Sequence, residues 1–330
     1  MLTRENINTI DLIASQLIDI LQTTGGSKLI SAKTGQLLNT ITTFDRMNNR
    51  CIVVLSGGQD STTCLFWALD RFNQVSAVTF DYNQRHRAEI QSAHWIWQLG
   101  QDYLVARNYD YVSEPIHEII QIPNILAGKS PLVNPAENLE QYDDEYSLPG
   151  GLEKTFVPMR NQLFLTIAAN RAYVDNTHHL ITGVCQEDSG GYPDCRQEFI
   201  DSFANTSSYG TFTNEADTLP PLVISTPLMN LTKAESIHMA LIQGMAYAAL
   251  AFSHTSYDGA YPPSGNDHAT LLRSKGFLEA GLPDPLVIRA FQEGLIPLPD
   301  TANYQNPEIV DRVHAMVQIL RRHMIEEGND

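Results

Sequence analysis

Six consecutive residues, Ser56, Gly57, Gly58, Gln59, Asp60 and Ser61, carry the strongest chemical signal in the chain. They follow a short apolar run at 51–55 and precede a helical pattern at 61–72, so they form the turn between a strand and a helix. Two glycines let the backbone bend sharply and bring N–H groups close to an anion, and the positive end of the following helix faces the same point. A phosphate or pyrophosphate suits that arrangement. No Lys-Ser/Thr pair follows the glycines and no third glycine stands at dinucleotide spacing, which sets aside the two commoner nucleotide loops. Asp60 would repel a polyphosphate unless a divalent cation lay between them, which implies Mg2+. Asp81 and Tyr82 end the next predicted strand at the carboxyl edge of the sheet, where adenine recognition or a plain strand-end turn accounts for them equally.

The elements that must hold this loop alternate. Strands are expected at 51–55, 75–81, near 103–107, at 179–184 and at 222–225, with helices at 61–72, 88–99, 160–174, 196–206 and 232–244. That order predicts an α/β fold with a doubly wound, mainly parallel sheet. Ahead of it, Ile7, Ile10, Ile13, Leu17, Ile18 and Leu21 make an apolar stripe over 3–22, read as a helix that docks on the core or on a second subunit. Residues 23–49 read as a linker, 110–154 as an irregular, proline-containing insertion or lid, and 307–327 as a closing amphipathic helix. The expected division is a helical extension and linker at 1–49, a nucleotide-binding α/β domain at 50–245 and a helical region at 246–330.

Bulk properties narrow the partners. The chain has 330 residues, 43% hydrophobic content and a formal charge of −17, enough for a sizeable core and the wrong sign for a polyanionic partner such as DNA or tRNA. Its four cysteines, Cys51, Cys64, Cys185 and Cys195, lack the two-residue spacing of metal ribbons. No apolar run is long enough to span a bilayer and no leader pattern opens the chain, so a cytoplasmic address and no membrane partner are expected.

Ser-Gly-Gly-x-Asp-Ser is the loop of the PP-loop (N-type ATP pyrophosphatase) enzymes, and five ordered strings narrow the resemblance further. They are 54–64 around the loop, 80–86 (Phe-Asp-Tyr-Asn-Gln-Arg-His), 157–164 (Val-Pro-Met-Arg-Asn-Gln-Leu-Phe), 191–199 (Gly-Tyr-Pro-Asp-Cys-Arg-Gln-Glu-Phe) and 226–235. Together the chain resembles the 7-cyano-7-deazaguanine synthase family of the queuosine pathway over roughly 51–281. The resemblance implies adenylation of the carboxylate of 7-carboxy-7-deazaguanine or a close analogue by ATP, attack by an amine to give an amide, and a second activation to a nitrile. It implies that Ser56, Gly57, Gly58, Gln59, Asp60, Ser61, Asp81 and Tyr82 bind ATP, and that Tyr192, Asp194, Arg196, Gln84 and Arg85 bind the acid. Arg160 and Lys233, with Asp60, become the catalytic groups, since charge gathering on the α phosphate needs preorganised cations. Arg85 and His86 suit either the phosphates or a subunit contact, and the family implies a homodimer.

The pattern breaks in one place. The family carries four cysteines near its C-terminal end that hold a structural zinc, whereas Ser256, Ser264, Asp267 and Thr270 stand in the corresponding segment here. Hydroxyls and one carboxylate are poor substitutes for a thiolate cage, and no zinc is expected. His254 and His268 lie close by and are expected to pack or face solvent rather than bind metal. With the loop retained and the periphery altered, two further readings stand beside the first: the same adenylation with transfer to another amine, including a protein, in a specialised or defence-linked pathway, or an inactive nucleotide-binding interaction module.

Overall fold

The computed structural model describes residues 2–23, 47–85, 87–107, 116–123, 125–126, 128–134, 136–143, 152–186, 191–212, 220–263 and 266–328. Five strands form one sheet: β1 (Met47–Val54), β2 (Phe72–Asp81), β3 (His117–Gln121), β4 (His179–Ile181) and β5 (Val223–Ser225). Their order is β3-β2-β1-β4-β5 and every neighbouring pair is parallel, with Val53 opposite both Ala77 of β2 and Ile181 of β4. The expected α/β fold with a doubly wound parallel sheet is the one found. Strand order reverses between β1 and β4, and the crevice outside the carboxyl ends of those strands is where open α/β sheets bind ligands.

Both faces of β1 are covered. Cys51 and Val53 face one core, shared with the helices α1 (Arg4–Thr23), α2 (Gln59–Leu69) and α3 (Ala88–Ala106), while Ile52 faces the other, shared with α4 (Arg160–Val174) and α5 (Gln197–Ser207). A strand buried on both sides needs the unbroken apolar run that the sequence shows there. The first core continues through α6 (Lys233–Ile242), α7 (Met245–Ala249), α8 (His268–Ala280), α9 (Pro285–Gln292) and α10 (Pro307–Glu326). Ile7, Ile10 and Leu17 of α1 are fully buried, packed against α6, α7 and α10, so α1 docks on the core of its own chain. Each such side chain contributes about 1.5–3 kcal/mol by leaving water.

The structure corrects two expected elements. The strand near 103–107 does not exist: α3 runs through it to Ala106, because Tyr103, Leu104 and Ala106 continue the buried stripe of Ile96 and Leu99, and the Tyr103 hydroxyl donates to Asp70 Oδ1 at 2.7 Å. The third strand is instead His117–Gln121, inside the stretch read as irregular. It pairs with β2 and is held from outside by a bidentate Arg171–Glu118 ion pair at 2.6 and 2.8 Å. β1 also starts at Met47, within the expected linker, while 24–46 lie outside the described residues, as does His86. No helix among the described residues is long and apolar enough to cross a membrane.

Candidate active site

The loop after β1 turns at Gly57, whose φ of +85° lies in the left-handed region. A Cβ there would collide with the carbonyl oxygen of Glu89 and lie 2.7 Å from the Ala93 amide, so only glycine lets the first turn of α3 close on the loop. α2 begins at Gln59 with Gly58 as its N-cap, two residues before the expected start at Ser61. No side chain caps it, which leaves the first-turn N–H groups available to an anion at the positive end of the helix. Ser56 and Ser61 brace the turn from inside: their hydroxyls lie 3.0 Å apart, and the Ser61 hydroxyl accepts from the Ser56 amide at 3.2 Å. The loop is also tied from behind, where the His254 amide donates to the Gly57 carbonyl at 2.9 Å. Across the switch point, Gly183 after β4 approaches so closely that a Cβ would sit 3.0 Å from the Ser61 amide nitrogen.

A cavity of about 360 Å3 opens over this loop. Ser56, Gly58, Gln59, Asp60, Ser61 and Lys233 line one side of it, and Tyr82, Arg160, Tyr192 and Tyr257 another. Gln84 and Arg85 also reach the cavity, so most of the sequence-predicted residues come together. Lys233 opens α6 behind a reciprocal cap, in which Thr232 accepts from the Glu235 amide at 3.2 Å and Glu235 accepts from the Thr232 amide at 2.9 Å. Its Nζ reaches both Asp60 oxygens, at 2.8 and 3.1 Å, so the half-buried lysine is held in the site rather than solvated.

Arg160 follows Met159, a non-glycine residue at φ 66° that caps α4. Burial alone would lower the Arg160 guanidinium, but the hydroxyls of Tyr82, Tyr192 and Tyr257 and the Asp194 carboxyl together hold it above its ordinary value. Its Nε is buried with no hydrogen-bond partner, as are Asp194 Oδ1 and Gln59 Nε2. Buried polar atoms are almost always satisfied, and the two of these on residues lining the cavity, Arg160 Nε and Gln59 Nε2, point to a ligand that supplies the missing bonds. Burial likewise raises the Asp194 carboxyl, with Arg160 opposing, and the Tyr192 hydroxyl meets Thr155 Oγ1 at 2.6 Å.

Some predicted residues sit elsewhere. Asp81 is buried at the end of β2 and pairs with Arg87 at 3.1 Å rather than facing the cavity. Arg196 is exposed at the N-cap of α5 and does not line it. Arg85, by contrast, lines the cavity but is exposed at its edge, donating to the Glu137 carbonyl at 3.0 Å. Other wall residues escaped the sequence reading. Tyr257, His268 and Leu272 belong to the region expected to stand apart from the nucleotide domain, and Glu89 lies on the first turn of α3.

The segment bearing the altered cysteine positions is organised by Asp267, which is 1% exposed. Its Oδ1 accepts from the Thr270 amide at 2.9 Å and caps α8, while Oδ2 accepts from the Ser256 hydroxyl at 3.0 Å and the Tyr257 amide at 3.1 Å. The single Ser256 hydroxyl proton is shared between Asp267 and Asp258 Oδ1, the latter at 2.6 Å, and His254 Nε2 meets the Ser256 carbonyl at 2.8 Å. The Ser256 and Asp267 oxygens are engaged with one another while Thr270 Oγ1 is buried with no hydrogen-bond partner, and an all-oxygen set with no thiolate does not fit tetrahedral zinc. Ser264 lies outside the described residues. No group of three His, Cys, Asp or Glu side chains gathers as a metal site among the described residues.

The sequence model of queuosine biosynthesis protein QueC matches residues 50–281. The chain belongs to the QueC family. Relatives named 7-cyano-7-deazaguanine synthase include those of Gloeobacter violaceus, 44% identical over 72% of this chain and 95% of that protein, and Laribacter hongkongensis, 43% identical over 72% and 94%. The Bacillus subtilis relative is 40% identical over 70% of this chain and 94% of its own. As a QueC-family member the chain is an ATP-dependent enzyme of the synthase, or ligase, kind. Among solved structures, a 4-thiouridine synthetase with RNA and bound ATP aligns over 85% of this chain and 53% of its own, at 16% identity and a TM-score of 0.38, too loose a likeness to argue from.

Proposed function

We propose that this chain adenylates the carboxylate of 7-carboxy-7-deazaguanine, or a close analogue, and passes the acyl group to an amine. The observation that carries the reading is one cavity with an uncapped helix N-terminus and Lys233 on one side and Arg160, whose Nε is buried without a partner, beside Tyr192 on the other. The first suits a polyphosphate and the second a planar acid, with the α phosphorus between them. The first-turn amides of α2 hold the β and γ phosphates, and Lys233 stabilises the charge that gathers as the substrate carboxylate attacks. Tyr192 covers the heterocycle, and Asp194 accepts from its N–H groups. Mg2+ would be held by Asp60 together with the nucleotide's own oxygens, screening charge on the departing pyrophosphate. The Asp267 bonds stand where the family has zinc, so the fold needs none. We extend the reading to a cytoplasmic homodimer.

The test is incubation with ATP, magnesium and the acid, with and without ammonium, followed by measurement of AMP and pyrophosphate and by mass spectrometry of the product. Acid-dependent pyrophosphate release is expected, falling about 100-fold or more in Lys233→Ala, the loss typical of one preorganised transition-state group. ATP binding without turnover would refute the reading. An acyl group found on a protein rather than on ammonia would move the acceptor and keep the activation step.

A further inference from the structure

Glu89 is a carboxyl group in the cavity with no role so far. Its backbone carbonyl packs against Gly57 of the phosphate loop, and its side chain faces Arg160, the guanidinium beside Tyr82, Tyr192 and Tyr257. Glu89 therefore stands where the phosphate side of the cavity meets the acid side, which is where an acyl phosphate would form. The other carboxyl lining the cavity, Asp60, sits on the phosphate side paired with Lys233 at 2.8 Å and is assigned to the metal, and Asp194 does not line the cavity. Among the described residues the Glu89 carboxyl makes no hydrogen bond and no ion pair. Of the described residues lining the cavity, the two histidines are engaged, His254 Nε2 with the Ser256 carbonyl at 2.8 Å and His268 in an interaction of its own.

We propose that Glu89 is the proton acceptor for the attacking amine, a role that rests on the adenylation reading above. The nitrogen lone pair forms the C–N bond at the acyl carbon, the C–O bond to AMP breaks with its electron pair leaving on the phosphate, and the surplus N–H proton passes to the Glu89 carboxylate. One amide, one AMP and one proton result from one acyl adenylate and one ammonia. Burial pushes Glu89 up to about 7, with Arg160 opposing, which puts the acceptor near the pH at which a general base transfers protons most effectively. The groups facing it are Arg160 from α4 and Tyr82 from the end of β2.

The experiment separates the two half-reactions. Acid-dependent exchange of labelled pyrophosphate into ATP reports the adenylate, and product formed with ammonia or with hydroxylamine reports the amine step; hydroxylamine is the much weaker base, so its adduct sheds the surplus N–H proton to water without help from a protein base. In E89Q the exchange is expected to stay within tenfold of the wild type, ammonia-dependent product to fall about 100-fold, and hydroxylamine product to hold, in line with the usual contribution of general base catalysis. Equal loss with both amines, loss of the exchange in parallel, or undiminished use of ammonia would each overturn the proposal. Should E89Q fail to fold, E89D serves: it retracts the carboxyl, and a loss confined to ammonia supports the role while an equal loss with both amines overturns it. A wild-type protein with no acid-dependent exchange would instead sink the adenylation reading, and this one with it.

Discussion

Asp267→Ala removes the carboxylate that ties the loop at 256–258 to the start of α8. The magnitude follows from its three bonds. Losing the Thr270 cap costs about 1 kcal/mol. The Tyr257 amide loses its acceptor, and an unsatisfied buried donor costs about 1–3 kcal/mol. The Ser256 hydroxyl adds little, because Asp258 Oδ1 at 2.6 Å still receives its proton. The sum is roughly 3 kcal/mol. Urea unfolding followed by tryptophan fluorescence, before and after exhaustive dialysis against a chelator, measures it. Asp267→Asn should lie between, keeping the cap while turning an amide N–H toward one of the other donors. If the alanine variant loses under about 1 kcal/mol, or if the chelator lowers the wild-type midpoint, the claim that hydrogen bonds have replaced a metal here is wrong.

Gly57→Ala places a Cβ against the Glu89 carbonyl in a left-handed backbone, at a cost of at least about 1–2 kcal/mol before the collision is relieved. ATP should no longer raise the variant's melting temperature, and retained stabilisation by ATP would clear the loop of its assigned role. Glu89→Gln should also change how stability depends on pH. With the folded carboxyl raised from 4.5 to about 7, the wild type is favoured while the group is protonated, and loses that advantage as pH rises through 7. The variant should therefore gain on the wild type by up to roughly 3 kcal/mol between pH 4.5 and pH 8, at about 1.4 kcal/mol per unit, and a constant gap in urea midpoints over that range would refute the burial argument.

Local signals made the nucleotide loop and its flanking elements legible. The apolar run before Ser56 and the glycines after it specify a buried strand and a turn without help from the rest of the chain, and α4 falls on 160–174 as expected. Residues 103–107 failed because Tyr-Leu-Val-Ala-Arg has the composition of a strand, and only the Tyr103 bond to Asp70 and the packing beneath it decide for helix. β3 was invisible because five residues at a sheet edge carry too little alternation to read. Glu89 looked like an ordinary acid in the first turn of a helix. What sets it apart is Arg160, brought to it by the crossover between distant strands, and spacing along the chain holds no trace of that.

The burial of α1 bears on how the molecule is made. Apart from a smaller contact with α3, its partners α6, α7 and α10 come late in the chain, α10 last of them. A ribosome therefore releases the first helix long before the surface that receives it exists, and Ile7, Ile10 and Leu17 must wait, exposed, through most of translation. Contacts between sequence-distant segments close slowly and leave apolar surface open to misassembly meanwhile. Yield from a living cell should thus depend on chaperones that shelter the nascent leader until the final helix emerges.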